Sequence, residues 1–158
     1  MRISKYVTLA EAIKSQTATR LGISNMPNEE QLANMKLVGS DIFDPSREYV
    51  NGPLHASSFF RSLELNSAIG GSSTTSQHMK GEAVDMDCDT FGYGNNNDLL
   101  NFIMKNLVFD QLIGEYPDAS GKFSWVHASK TKGKNRGQVL VKLKDKYIPF
   151  IEWKAGMV

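Results

Sequence analysis

The stretch Ser76-Gln77-His78-Met79-Lys80-Gly81-Glu82-Ala83-Val84-Asp85-Met86-Asp87-Cys88-Asp89 changes its pattern in the middle, and that change decides the fold. After Gly81, the apolar residues Val84, Met86 and Cys88 alternate with Asp85, Asp87 and Asp89. A period of two marks a strand with one apolar face, so the aspartates point away from the core. His78 precedes Asp85 by seven residues. On a continuous helix that spacing would part the two backbones by about 10 Å along the axis. The segment must therefore bend if the two side chains are to meet, and Gly81 supplies the positive φ that a sharp turn can require.

The same alternation recurs in Trp125-Val126-His127-Ala128, where Val126 and Ala128 can face inward while Trp125 and His127 share the opposite face. The chain has three histidines, and two of them fall in segments that read as buried strands. A lone histidine is more often a hydrogen-bonded structural residue than a ligand. Imidazole nitrogen and carboxylate oxygen are nevertheless ordinary zinc ligands, and three protein ligands plus one water is the pattern of a catalytic site. His78, Asp85 and His127 are thus the candidate Zn2+ ligands, delivered to one concave surface.

Ser76-x-His78-x-x-Gly81-x-Ala83-x-Asp85 followed by Trp125-x-His127 resembles the D-alanyl-D-alanine carboxypeptidase-like zinc peptidases of the Hedgehog/DD-peptidase fold. Further similarity lies in Ser58-Phe59-Phe60-Arg61-Ser62 and in Asn66-x-x-Ile69-Gly70-Gly71. Thr8-Leu9-Ala10-Glu11-Ala12 and the run from Thr17 through Arg20-Leu21-Gly22-Ile23 to Asn25-x-Pro27 resemble small phage and bacterial members. The resemblance implies His78, Asp85 and His127 as zinc ligands and Arg61 as the substrate arginine. It also implies an acidic residue or histidine near the last ligand. Many relatives place Glu three residues, or His two residues, before that ligand, where this chain has Ser124 and Trp125.

Glu115 is the candidate base. Read as a strand, Gln111, Ile113 and Glu115 share a face, and a hairpin through residues 117–121 would fold Glu115 back beside Trp125 and His127. A carboxylate there can take a proton from water and pass it to a leaving amine. A solvated glutamate at a strand end is the plainer alternative, and Asp87 and Asp118 are weaker candidates. Arg61 can pair with a substrate carboxylate or steady an oxyanion, although arginine on a loop is commonly only solvated charge. Ser76 and Trp125 complete the expected substrate-binding set.

Composition bounds the rest. A length of 158 residues suits one domain, expected over residues 1–158. A net charge of +1 gives no broad electrostatic case for nucleic acid. Lys130, Lys132, Lys134, Arg136, Lys142, Lys144 and Lys146 read as a turn and a hairpin with a solvated outer face. The single Cys88 reads as a small core residue. No long apolar run suggests membrane insertion, and no signal-peptide core follows Met1-Arg2-Ile3-Ser4-Lys5-Tyr6. The expected location is a host cytoplasm before release to the wall, or a virion.

Helices are expected at Thr8 to Ser15, Asn28 to Val38, Asp44 to Val50 and Asp98 to Leu107. Strands are expected near Leu54 to Phe59, then at Gln111–Glu115, Trp125–Ser129, Val139–Leu143 and Tyr147–Phe150, with a polar loop from Asn66 to Thr75. The fold expected is α+β, helices packed on one face of a mainly antiparallel sheet. The expected activity is hydrolysis of a bacterial peptidoglycan peptide, in a lysin or as part of a phage particle. The competing expectation is a non-catalytic zinc-binding or structural protein with the same fold. A purely structural metal would need a fourth ligand, for which His55 is the remaining histidine.

Overall fold

The alternating stretches assemble into one sheet. In the computed structural model, which describes residues 1–70 and 73–158, six strands are hydrogen-bonded in the order β1-β2-β4-β3-β5-β6. They are β1 (His55–Ser58), β2 (Ala83–Asp87), β3 (Gln111–Glu115), β4 (Trp125–Ser129), β5 (Gln138–Lys142) and β6 (Tyr147–Pro149). Every neighbouring pair is antiparallel except β3 with β5, so the sheet is mixed.

The sheet is thus mainly antiparallel, as expected, and the β3–β5 pair is its one parallel exception among the described residues. β4 ends beside the start of β3, and the following loop starts β5 at that same end. Asp110 holds the loop there. Its Oδ1 accepts from the backbone N–H and the Nε of Arg136 at 3.0 Å each, and its Oδ2 accepts from Nη2 at 2.7 Å. Arg136 is therefore a structural cation, as is Lys130, which pairs with Asp41 at 2.8 Å.

The helices are α1 (Leu9–Ala12), α2 (Gln16–Leu21), α3 (Glu29–Val38), α4 (Asp44–Val50), α5 (Leu63–Ala68) and α6 (Asn96–Asn106), with α3 and α6 packed on the apolar face of the sheet. Thr8 and Glu11 form the expected capping box at α1, but that helix ends at Ala12 because Ser15 caps a separate α2. α5, capped by Ser62, occupies the start of the expected polar loop; Gly71 and Ser72 lie outside the described residues.

Val84, Met86, Leu112, Val126, Ala128 and Val141 are fully buried from the strands, against Met35 and Val38 of α3 and Leu99, Leu100 and Ile103 of α6. Each large apolar side chain so buried contributes roughly 1.5–3 kcal/mol. Cys88 belongs to this core, and burial pushes its thiol up to about 11. Gly114 is required where Phe123 packs, since a Cβ there would lie 2.6 Å from the ring. No helix among the described residues is long and apolar enough to cross a membrane.

Candidate metal centre

His78 is carried by a single 3₁₀ turn, Gln77–Lys80, rather than by a strand. Ser76 caps the turn, its hydroxyl accepting from the His78 N–H at 3.3 Å. Gly81 ends it with φ +72°, and a Cβ there would also strike the Gln31 carbonyl. The bend expected between His78 and Asp85 is therefore this turn. The His78 Nδ1 lies 2.7 Å from the Phe59 carbonyl oxygen, which can only accept. That fixes the proton on Nδ1 and leaves the Nε2 lone pair for a ligand.

Asp85 on β2 and His127 on β4 are direct cross-strand partners. Asp85 Oδ1 lies 2.9 Å from His127 Nδ1 and 3.3 Å from His78 Nε2. The ligand atoms of the three residues all lie within 4.8 Å of one another. A tetrahedral ion with bonds of about 2.0–2.2 Å sets its ligand atoms about 3.3–3.6 Å apart. The donor types fit zinc, and the 3.3 Å separation matches that spacing, while the 2.9 Å one is the shorter distance of two atoms that share a proton.

Electrostatics favour the ligating forms. Burial holds His78 below the usual imidazole range, keeping it neutral. Burial alone would push Asp85 upward, but the two imidazoles beside it, His127 within hydrogen-bond distance, hold it well below the usual carboxylate range. Metal binding at such a set competes with protons for the same lone pairs.

Arg61 follows β1 and stands beside the cluster, Nη2 3.7 Å from Asp85 Oδ2. Its Nε donates to Ser58 Oγ at 3.1 Å, its Nη1 to Asn66 Oδ1 at 3.5 Å, and its backbone N–H to the His78 carbonyl at 3.2 Å. The buried Asn25 braces both sides of this arginine. Its Nδ2 donates to the Phe60 carbonyl at 3.1 Å, and its Oδ1 accepts from the Ser62 N–H at 2.7 Å. A cavity of about 690 Å³ opens next to Arg61, with Lys14, His55, Ser58 and Phe91 in its wall.

Glu115 is the direct partner of Trp125 on β4, on the face that carries His127. It is only 9% exposed. Burial pushes its carboxyl up to about 7, aided by the charge of Asp85 and opposed by that of His127. Trp125 stacks at a tilt against Tyr116, centroids 5.3 Å apart. Asp87 and Asp118 are committed elsewhere. Asp87 Oδ1 accepts from Asp89 N and Asn96 Nδ2, and Asp118 Oδ1 holds its own turn through Ser120 N and Lys122 N. His55 meets the Phe91 ring edge-on and is not in the metal-ligand cluster.

The residue that sequence reasoning misplaced is Lys142. Read as part of a solvated hairpin face, it is instead the direct partner of Glu115 across the parallel β3–β5 pair. Its alternation with the buried Val141 and Leu143 was the available signal, but only the parallel register puts it beside Glu115.

Among known proteins, the family model described as Peptidase M15 matches residues 5–128, well over half of the chain and inclusive of the three clustered residues. No curated protein matches the chain.

Proposed function

The chain belongs to the peptidase M15 family, and from that premise we propose that it is a zinc-dependent peptidase acting on the peptides of bacterial peptidoglycan, with residues 1–158 as one domain of the DD-peptidase type. The observation that carries this reading is the convergence of His78, Asp85 and His127 within 4.8 Å, on the sheet face that also presents the buried Glu115. The similarity of the Thr17 to Pro27 stretch to small phage and bacterial peptidases supports a wall-lysing role, in a lysin or a virion component.

His78, Asp85 and His127 would hold the zinc. When bound, zinc supplies Lewis acidity, polarising a carbonyl and lowering the pKa of a water. Glu115 takes a proton from the attacking water and returns it to the departing amine, a task suited to a group that titrates near neutral pH. Arg61 presents positive charge where the carbonyl oxygen becomes negative, already oriented by Ser58 and Asn66. Trp125, the direct partner of Glu115, and Ser76, which caps the turn that carries His78, would position the peptide. Phe59 and Ser76 keep the His78 ring and its turn in place.

Digestion of purified peptidoglycan by the zinc-loaded protein, read by mass spectrometry of new termini, tests the reading. New termini that disappear with His78→Ala and Glu115→Ala are the expected result. Full zinc occupancy with no cleavage of any wall type would instead favour the non-catalytic zinc-binding role. Survival of cleavage in Glu115→Ala would remove Glu115 as the base.

A further inference from the structure

Two cations flank the candidate metal centre, and the chain uses them differently. Arg61 is engaged by Ser58, Asn66 and Asp85. Lys142, on the other flank, takes part in none of the ion pairs among the described residues. Its ammonium rests 4.4 Å from the centroid of the Tyr147 ring, in a half-buried position. Cross-strand pairing makes a row of Trp125, Glu115, Lys142 and Tyr147 across β4, β3, β5 and β6. The adjoining row on the same face contains Asp85 and His127.

We propose that Lys142 is a carboxylate subsite, taking the C-terminal carboxylate of the peptide being cut. This rests on the peptidase reading and gives it a direction. In a C-terminal amino acid, one Cα separates the amine nitrogen from the carboxylate carbon, a gap of about 2.5 Å. The group that protonates the departing amine and the cation that holds the carboxylate must therefore be neighbours. Glu115 and Lys142 are direct partners on adjacent strands, and such strands lie about 4.7–4.9 Å apart. Arg61 approaches Asp85 from β1 and is placed for the carbonyl oxygen instead. In the step, the C–N bond breaks and the hydroxyl of water stays on the carbonyl carbon. The proton of that water passes through Glu115 to the amine, and one amino acid leaves with its carboxylate against Lys142.

The test uses an acyl-D-Ala-D-Ala peptide and its C-terminal amide on the zinc-loaded full chain, with Lys142→Gln, Lys142→Glu and Lys142→Arg. The wild type is expected to prefer the free acid by about tenfold or more, chiefly through KM. Lys142→Gln should erase the preference, Lys142→Glu reverse it and Lys142→Arg keep it, read as the ratio of kcat/KM on acid to that on amide. Equal slowing of acid and amide by Lys142→Gln, together with a moved pH profile, would show Lys142 acting on Glu115 and would overturn the proposal. Equal rates on acid and amide in the wild type would also overturn it. Tryptophan fluorescence of the metal-free protein titrated with the same two peptides gives a readout apart from hydrolysis. A Lys142-dependent acid preference there, without cleavage, would sink the peptidase reading while leaving the subsite standing. Binding of acid and amide alike would sink the subsite.

Discussion

The two faces of β2, β3 and β4 are built from alternating residues of the same strands, yet they follow opposite rules. On one face Val84, Met86, Leu112, Val126 and Ala128 are sealed from water within the hydrophobic core. On the other, one residue along each strand, Asp85, His127 and Glu115 are polar groups held largely out of water. Burying a polar group costs free energy unless it is partnered, so the second face depends on hydrogen bonds, metal and substrate where the first depends on packing. The comparison teaches that stability and chemistry are separated here by a single step of the strand pleat.

The strongest test of that separation is Asp85→Ala. Zinc stoichiometry and hydrolysis should fall by more than about 100-fold, beyond the loss from removing a mere supporting partner of a ligand. Zinc should no longer raise the melting temperature, as it should for the wild type. Metal analysis and calorimetry read both effects.

Glu115→Gln comes next. Hydrolysis should drop by roughly 10²–10⁴-fold while zinc stays bound. The stability effect has the opposite sign. A carboxyl raised from 4.5 to about 7 binds its proton more tightly in the folded state, so its contribution is complete below pH 4.5 and is lost as pH rises through 7. The metal-free variant should match the wild type near pH 4 and exceed it at pH 8, by about 3 kcal/mol in denaturant titration.

On the packed face the pattern inverts. Leu112→Ala should cost about 2–5 kcal/mol of stability and leave zinc stoichiometry unchanged. Gly114→Ala should cost about 1–3 kcal/mol, because its methyl must displace the Phe123 ring. Loss of zinc from either variant at a temperature where it stays folded would show the two faces to be coupled.

The smallest effect is expected at the Asp110–Arg136 tie. The hydrogen bonds of Arg136 pull the Asp110 carboxyl down to about 2, so its contribution is present above pH 3.8 and is lost as pH falls through 2. Asp110→Asn should cost roughly 1–2 kcal/mol at pH 7, since Arg136 remains partly in water, and almost nothing below pH 2. Urea titrations at the two pH values read the difference.

Much of this was legible in the sequence because alternation is a local signal. The bounds of β3 and β4 follow from it, as does the shared face of Ile113 and Glu115, which the hairpin turns toward Trp125 and His127. α2 and α5 were not legible, being too short to show a helical period, and Ser15 and Ser62 mark them only as caps. The direction of β5 was hidden for a different reason. It depends on where the loop after β4 is tied down, and the Asp110–Arg136 contact spans 26 residues. With that direction unseen, Lys142 kept its surface reading.

Asn25 carries a last consequence. It lies outside the cleft, but its amide grips the chain immediately before and after Arg61. The neighbouring Phe59 carbonyl sets the tautomer of His78. A protein designer who kept every cleft-lining side chain and freely redrew the amino-terminal segment would discard the jig that aligns two of them.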